Sequence, residues 1–229
     1  MTEQANTVAF SSHFQRGLQF QQNGKIEEAV AAYSRAIKQD PHNAAAYINM
    51  GSALRTLGKL EAARLCYQRA CDLEPDNVSM LSNFGNTLCD MQDFVEAEKV
   101  HKRVLELEGE NPGFIYNAGV APFNDNRPDE AIALFDKVIE KEPEHLNAQW
   151  NRALAYLQKG DFIEGFKGYE WRLKRDDMPE RNFEQPRWDG KSLKGKTILL
   201  TAEQGFGDML QFARFVPLAA KKAKSVILE

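Results

Sequence analysis

Along residues 10–179, apolar, small and proline positions return in a fixed order every 34 residues. Each round divides into two stretches whose apolar residues fall at helical spacing. In residues 44–77, Tyr47, Met50, Gly51 and Leu54 mark the packing face of one helix. Ala63, Tyr67 and Ala70 mark a second, and Pro75 stops it. Residues 10–43 carry Gly17, Phe20, Ala29, Tyr33, Ala36 and Pro41 at the matching places. Residues 78–111 carry Leu81, Phe84, Gly85, Leu88 and Ala97, with Gly109 where the proline would stand. Glycine also ends a helix, by accepting a left-handed conformation. Residues 112–145 carry Gly119, Ala131, Phe135 and Pro143, and Pro128 suits the first turn of a second helix.

This order of large, small and proline positions resembles the tetratricopeptide repeat (TPR), a helix-turn-helix unit of about 34 residues. The resemblance implies a mostly α fold, a solenoid of five repeats (10–43, 44–77, 78–111, 112–145 and 146–179) behind a tail at 1–9. Two departures carry information. Pro122 falls inside the first helix of the fourth repeat, where a missing N–H and a ring clash predict a bend or an early stop near Val120, followed by a loose FNDNR loop. The fifth repeat keeps Trp150, Ala153, Tyr156, Gly165 and Tyr169, but Arg172 stands where Ala36 and Ala70 stand. A bulky cation there resists being covered by a further helix pair, so the solenoid is expected to end at Tyr169-Glu170-Trp171-Arg172.

Residues 180–195 read as a linker, rich in charge and punctuated by proline and glycine. Over 196–229 the period changes. Thr197–Ala202 predicts a buried strand, Gly205-Phe206-Gly207-Asp208 a tight turn, Met209–Ala223 a helix and Ser225–Leu228 a second strand. Strand, helix, strand is a βαβ unit, the start of a parallel α/β domain. Alone it leaves apolar faces and unpaired edges, so it is expected to be the front of a longer domain unless it folds back against the fifth repeat.

Charge narrows the classes of partner. Residues 1–175 hold 20 Lys and Arg against 25 Asp and Glu, whereas residues 176–229 hold 9 against 8. An acidic array disfavours a phosphate backbone, so no nucleic-acid partner is expected. No basic region followed by an apolar run opens the chain, and no run approaches the roughly 18 apolar residues of a membrane span. Cys66, Cys71 and Cys89 are an odd number without metal-ligand spacing, which fits small buried hydrophobes in a reducing, cytoplasmic setting and no metal site. The four histidines are scattered and receive no chemistry.

Asn49, Asn83, Asn117 and Asn151 lie 34 residues apart, with Gln15 at the corresponding place in the first repeat. On the first helix of each pair they would form a column of amides along the inner wall of a superhelix. Each amide offers donor and acceptor to the backbone of an extended peptide. The same column can instead tie neighbouring helices together. Asn86, Tyr116 and Trp150 lie beside it, the two aromatics able either to stack on a ligand or to pack between repeats. The acidic series Asp40, Glu74, Glu108 and Glu142 closes each second helix and is expected to face solvent.

The second candidate is Glu203-Gln204-Gly205-Phe206-Gly207-Asp208. Glycines before a helix N-terminus allow close approach to a phosphate, although the full dinucleotide spacing is missing and Asp208 can serve simply as an N-cap. Trp188-Asp189-Gly190, Leu199-Leu200, this loop, Gln211-Phe212 and Arg214-Phe215 together resemble the junction in bacterial proteins that join TPRs to a glycosyltransferase domain. Such domains resemble heptosyltransferases and, more distantly, the O-linked N-acetylglucosamine transferase. That resemblance implies a Rossmann-like, GT-B type domain with Asp208 as a catalytic aspartate, Gly205 and Gly207 in a ligand loop, and a nucleotide sugar as donor. It also likens the Asn column to the asparagine ladder of that transferase. The sugar-nucleotide lobe would lie beyond Glu229, so this chain by itself is expected to bind a protein or peptide without cofactor and not to catalyse transfer.

Overall fold

Every 34-residue round becomes a pair of helices joined by a short turn. The computed structural model describes residues 2–174, 183–202 and 206–229, and of residues 2–11, Phe206 and Asp208 it describes the backbone only. The chain divides into two units, Met1–Leu173 and Lys174–Glu229. In the first unit the pairs are α1 (Thr2–Gln22) with α2 (Ile26–Gln39), α3 (Ala44–Thr56) with α4 (Leu60–Leu73), and α5 (Val78–Asp90) with α6 (Phe94–Glu108). They continue with α7 (Pro112–Asn124) and α8 (Pro128–Lys141), then α9 (Leu146–Lys159) and α10 (Phe162–Tyr169). The first helix reaches back to Thr2, so the residues expected to form a tail are helical in backbone.

The first helices begin at a second 34-residue series that the sequence reading did not single out. Asn43, Asn77 and Asn111 cap α3, α5 and α7 by accepting from the backbone N–H of Ala46, Met80 and Gly113, and His145 caps α9 through Nδ1 at 3.2 Å from the Ala148 nitrogen. Each cap satisfies a donor that would otherwise lack a partner, worth about 1 kcal/mol.

Within a pair, a small residue of the first helix faces a ring of the second. A Cβ added to Gly17 would lie 2.4 Å from the Tyr33 ring, one on Gly51 3.0 Å from Tyr67, and one on Gly119 2.7 Å from Phe135. The fifth pair reverses the arrangement. Ala153 carries the methyl there, and Gly168 makes room, its missing Cβ standing 2.8 Å from that methyl. Tyr33, Tyr67 and Phe135 are fully buried, and the alanines of the second helices pack around them. Burial pushes the Tyr33 and Tyr67 hydroxyls up to about 12.

Three local expectations are corrected. Helix α7 does not stop near Val120 but runs to Asn124 with Pro122 buried in its last turn. At that place only the bond to the Ala118 carbonyl is lost, and the following N–H groups of Asp125 and Arg127 still reach Ala121 and Pro122. Gly109 ends α6 with φ 71° and ψ −161°, a positive-φ region open to glycine but not the left-handed helical one. In the second unit, the helix expected over 209–223 is two: α11 (Phe206–Ala213) and α12 (Val216–Ala220). Pro217 cannot donate to the Ala213 carbonyl, so the helix breaks at Arg214-Phe215 and restarts with the proline in its first turn.

At the end of the first unit, α10 is eight residues long and gives way to a 3-10 turn at Glu170–Lys174. Arg172 lies flat there, its guanidinium 4.6 Å from the centre of the Tyr169 ring and donating to the Tyr169 carbonyl and the Glu170 carboxylate. Strands β1 (Leu193–Leu200) and β2 (Ala223–Leu228) of the second unit pair in parallel across α11 and α12, the expected βαβ order.

Candidate binding groove

The first helices touch one another in succession, α1 with α3, α3 with α5, α5 with α7 and α7 with α9, whereas among the described residues successive second helices do not approach as closely. The array therefore curves toward its first helices. Their outward faces form the inner wall, and the asparagine column stands on it.

The four amides are not equivalent. Asn117 Nδ2 donates to Ser82 Oγ at 3.1 Å, and Asn151 Nδ2 donates to Tyr116 Oη at 3.0 Å. Both bonds run 35 residues back, from one repeat to the one before, and both need a hydroxyl at the residue preceding the asparagine of that earlier repeat. The same place before Asn83 is Ile48, and before Asn49 it is Phe14; neither can accept. Asn49 accordingly turns back and donates to the Ala45 carbonyl of its own helix at 2.8 Å. Asn83 is half-buried, and among the described residues its carboxamide has no hydrogen-bond partner; its backbone carbonyl accepts from Thr87 Oγ1 at 2.8 Å. Thus two members of the column tie repeats together and one faces the groove with donors and acceptor unmet.

The aromatics beside the column pack within the array. Tyr116 lies 5.8 Å from Phe135 and 5.2 Å from His145, and Trp150 lies 4.8 Å from Tyr169, centre to centre. Asn86 is half-buried one turn after Asn83. Arg55 and Asp90 close on each other at 2.6 Å across the seam between α3 and α5, so two of the charges on this wall neutralise one another. Gln158 donates to the Phe123 carbonyl across the last seam. The wall is polar but largely uncharged, which suits the peptide backbone better than a carboxylate or a phosphate.

One residue escaped the sequence reading. His101 stands 34 residues from both Tyr67 and Phe135, in the ring position of the third repeat. It is fully buried, a Cβ on Gly85 would lie 2.6 Å from its Cε1, and neither ring nitrogen has a hydrogen-bond partner among the described residues. Burial alone drives its pKa down to about 4. The 34-residue spacing was the available signal.

Of the second candidate, Gly205 and the side chain of Asp208 lie outside the described residues. Gly207 is exposed at the start of α11, with open space where a Cβ would stand. The cysteines are unpaired thiols, Cys66 and Cys89 buried and pushed up to about 11, Cys71 half-buried with Sγ 3.3 Å from the Met80 sulfur. Among the described residues no cluster of three or more metal-ligating side chains occurs, and no helix is long and apolar enough to cross a membrane.

The helical unit is a tetratricopeptide-repeat solenoid: residues 14–78 and 116–164 match the tetratricopeptide-repeat family model. Among solved structures, one of the MamA protein superposes with a TM-score of 0.63 at 20% identity, covering 72% of this chain and 91% of that one. MamA 41-end from Desulfovibrio magneticus RS-1 gives 0.66 at 18% identity over 74% and 98%. YrrB, described as a TPR protein with an unusual peptide-binding site, gives 0.59 at 20% identity over 76% and 93%. At these identities the likeness is one of fold. Protein FlbA of Caulobacter vibrioides is 38% identical over 71 residues, which is 30% of this chain and 12% of FlbA's length.

Proposed function

We propose that the helical unit is a scaffold that holds an extended peptide segment of a partner protein against its inner wall. The observation that carries this reading is the half-buried carboxamide of Asn83, which has no hydrogen-bond partner among the described residues, whereas Asn117 and Asn151 are tied to the preceding repeat. A carboxamide can give and accept one bond each to a peptide unit, so it grips backbone without reading sequence. Asn49 and Asn86 flank it, and the cytoplasm, with its reduced thiols, is the compartment we assign. The test is a comparison of unstructured peptides with the same peptides N-methylated along the backbone, followed by fluorescence anisotropy. Unmodified peptides of varied sequence should bind and the methylated ones should lose most of their affinity. Equal affinity for both forms would contradict backbone capture.

A second reading, that the scaffold is the substrate-recognition arm of a glycosyltransferase using a nucleotide sugar, draws support from the parallel βαβ unit that follows the repeats. On it Asp208 would act as the base and Gly205 and Gly207 would admit the ligand. Replacing Asp208 by Asn in a protein carrying both lobes should abolish sugar transfer while peptide binding persists. Undiminished transfer would exclude that role.

A further inference from the structure

The second unit gathers positive charge at one end of its sheet. Parallel pairing sets Leu193 of β1 beside Ala223 of β2, although 30 residues separate them in the chain. That register brings Lys191 and Lys194, which flank Leu193, together with Lys221, Lys222 and Lys224, which flank Ala223. The five lysines are exposed and line a single cleft of about 660 Å³. The ladder slips beside it: Lys194-Gly195-Lys196 of β1 stand opposite Lys224 alone. Gly195 takes φ 76° in this bulge, a device that re-aims side chains at the edge of a sheet and leaves backbone groups outside the ladder.

The local carboxylate is already committed. Asp189 lies 2.6 Å from Lys191 Nζ and also accepts from the Lys191 backbone N–H, which together hold its carboxyl below the ordinary range. Lys222 sits 5.9 Å from the centre of the Trp188 ring, and that indole donates to the Lys191 carbonyl at 2.8 Å, fixing one wall. Lys194, Lys221 and Lys224 have no ion-pair partner among the described residues.

We infer that this cleft binds a compact ligand bearing two or more adjacent phosphates. Like charges crowded around one concavity repel until an anion occupies it. A lone phosphate carries too little charge to balance the group. Lysine meets phosphate as a mobile point charge and needs no planar fork. A long polyanion fits worse, because residues 1–175 of the same chain carry a net charge of −5. The inference rests on the second unit alone and is independent of the groove.

The same chemistry occurs in a soluble oligophosphate and in a lipid headgroup, so the experiment has two arms. The whole chain is titrated by calorimetry with inorganic tripolyphosphate at fixed ionic strength, and separately incubated with phosphatidylcholine vesicles with and without phosphatidylinositol bisphosphate. One equivalent of tripolyphosphate should bind, and Lys194→Glu with Lys221→Glu should weaken it tenfold or more. The milder Lys194→Gln with Lys221→Gln should weaken it in the same direction, and Lys102→Glu, exposed in the helical unit, should not. Binding confined to the phosphoinositide vesicles and lost in the same variants assigns the headgroup as source. Equal binding by wild type and both double variants, or no binding in either arm, would overturn the inference.

Discussion

Replacing His101 by Phe should remove an acid sensitivity built into the third repeat. The slot accepts the change, because Phe135 occupies the same place one repeat later, with its Cε1 2.7 Å from where a Gly119 Cβ would stand. In the folded chain the histidine has a pKa near 4, set by burial, against about 6.5 in the unfolded chain. The folded value is the lower, so the unfolded chain takes up the proton first as pH falls. Stability is therefore unaffected by this residue above about pH 6.5 and is lost progressively between there and pH 4. Between pH 8 and pH 5 the linkage amounts to about 2 kcal/mol. Urea denaturation of wild type and His101→Phe at both pH values isolates it, since other titrating groups cancel in the double difference. Stability in such an array is close to a sum over repeats and their interfaces, so amide exchange in α5 and α6 gives a local check. The wild type should lose about 2 kcal/mol more than the variant on acidification. The same loss in both would refute the claim that His101 is buried uncharged.

Three further outcomes follow from the seams. Gly85→Ala places a methyl 2.6 Å from His101 Cε1; overpacking of about 1–3 kcal/mol should outweigh the roughly 1 kcal/mol that alanine gains as a helix former, and a melting temperature equal to or above wild type would contradict the close seating. Tyr116→Phe deletes the acceptor of Asn151 and should cost about 1 kcal/mol in thermal unfolding without changing peptide affinity; an unchanged melt would show the bond to be idle. Ile48→Ser supplies the hydroxyl that Asn83 lacks, so it should engage Asn83 as Ser82 engages Asn117 and weaken peptide binding several-fold. Undiminished binding would dissociate Asn83 from the ligand.

The 34-residue pattern made the helix pairs legible, because a small residue, a ring and a stop recur at places where only close packing and a chain reversal explain them. What it hid lies in substitutions that respect shape and change chemistry. His101 fills a ring's volume, so it passed as a scattered histidine until the burial of both nitrogens was visible. The column of asparagines was equally plain, but its meaning was not: whether an amide is engaged depends on the residue one place before its counterpart in the preceding repeat. Ser82 and Tyr116 accept there and Ile48 does not, a relation between helices that helical periodicity along one chain segment does not display. Pro122 misled for a related reason, since the cost of a proline depends on how many turns follow it, and here α7 ends two residues later. The break before Pro217 shows the opposite case, a proline with a full helix before it.

The most direct test of the account is the contrast between Asn83→Ala and Asn151→Ala, with peptide affinity and thermal unfolding measured on both. Asn83→Ala should weaken peptide binding by about tenfold with the melting temperature unchanged, whereas Asn151→Ala should lower stability by about 1 kcal/mol and leave binding nearly intact. Loss of stability in Asn83→Ala, or peptide affinity untouched by it, would contradict the separation of Asn83 from the structural amides Asn117 and Asn151.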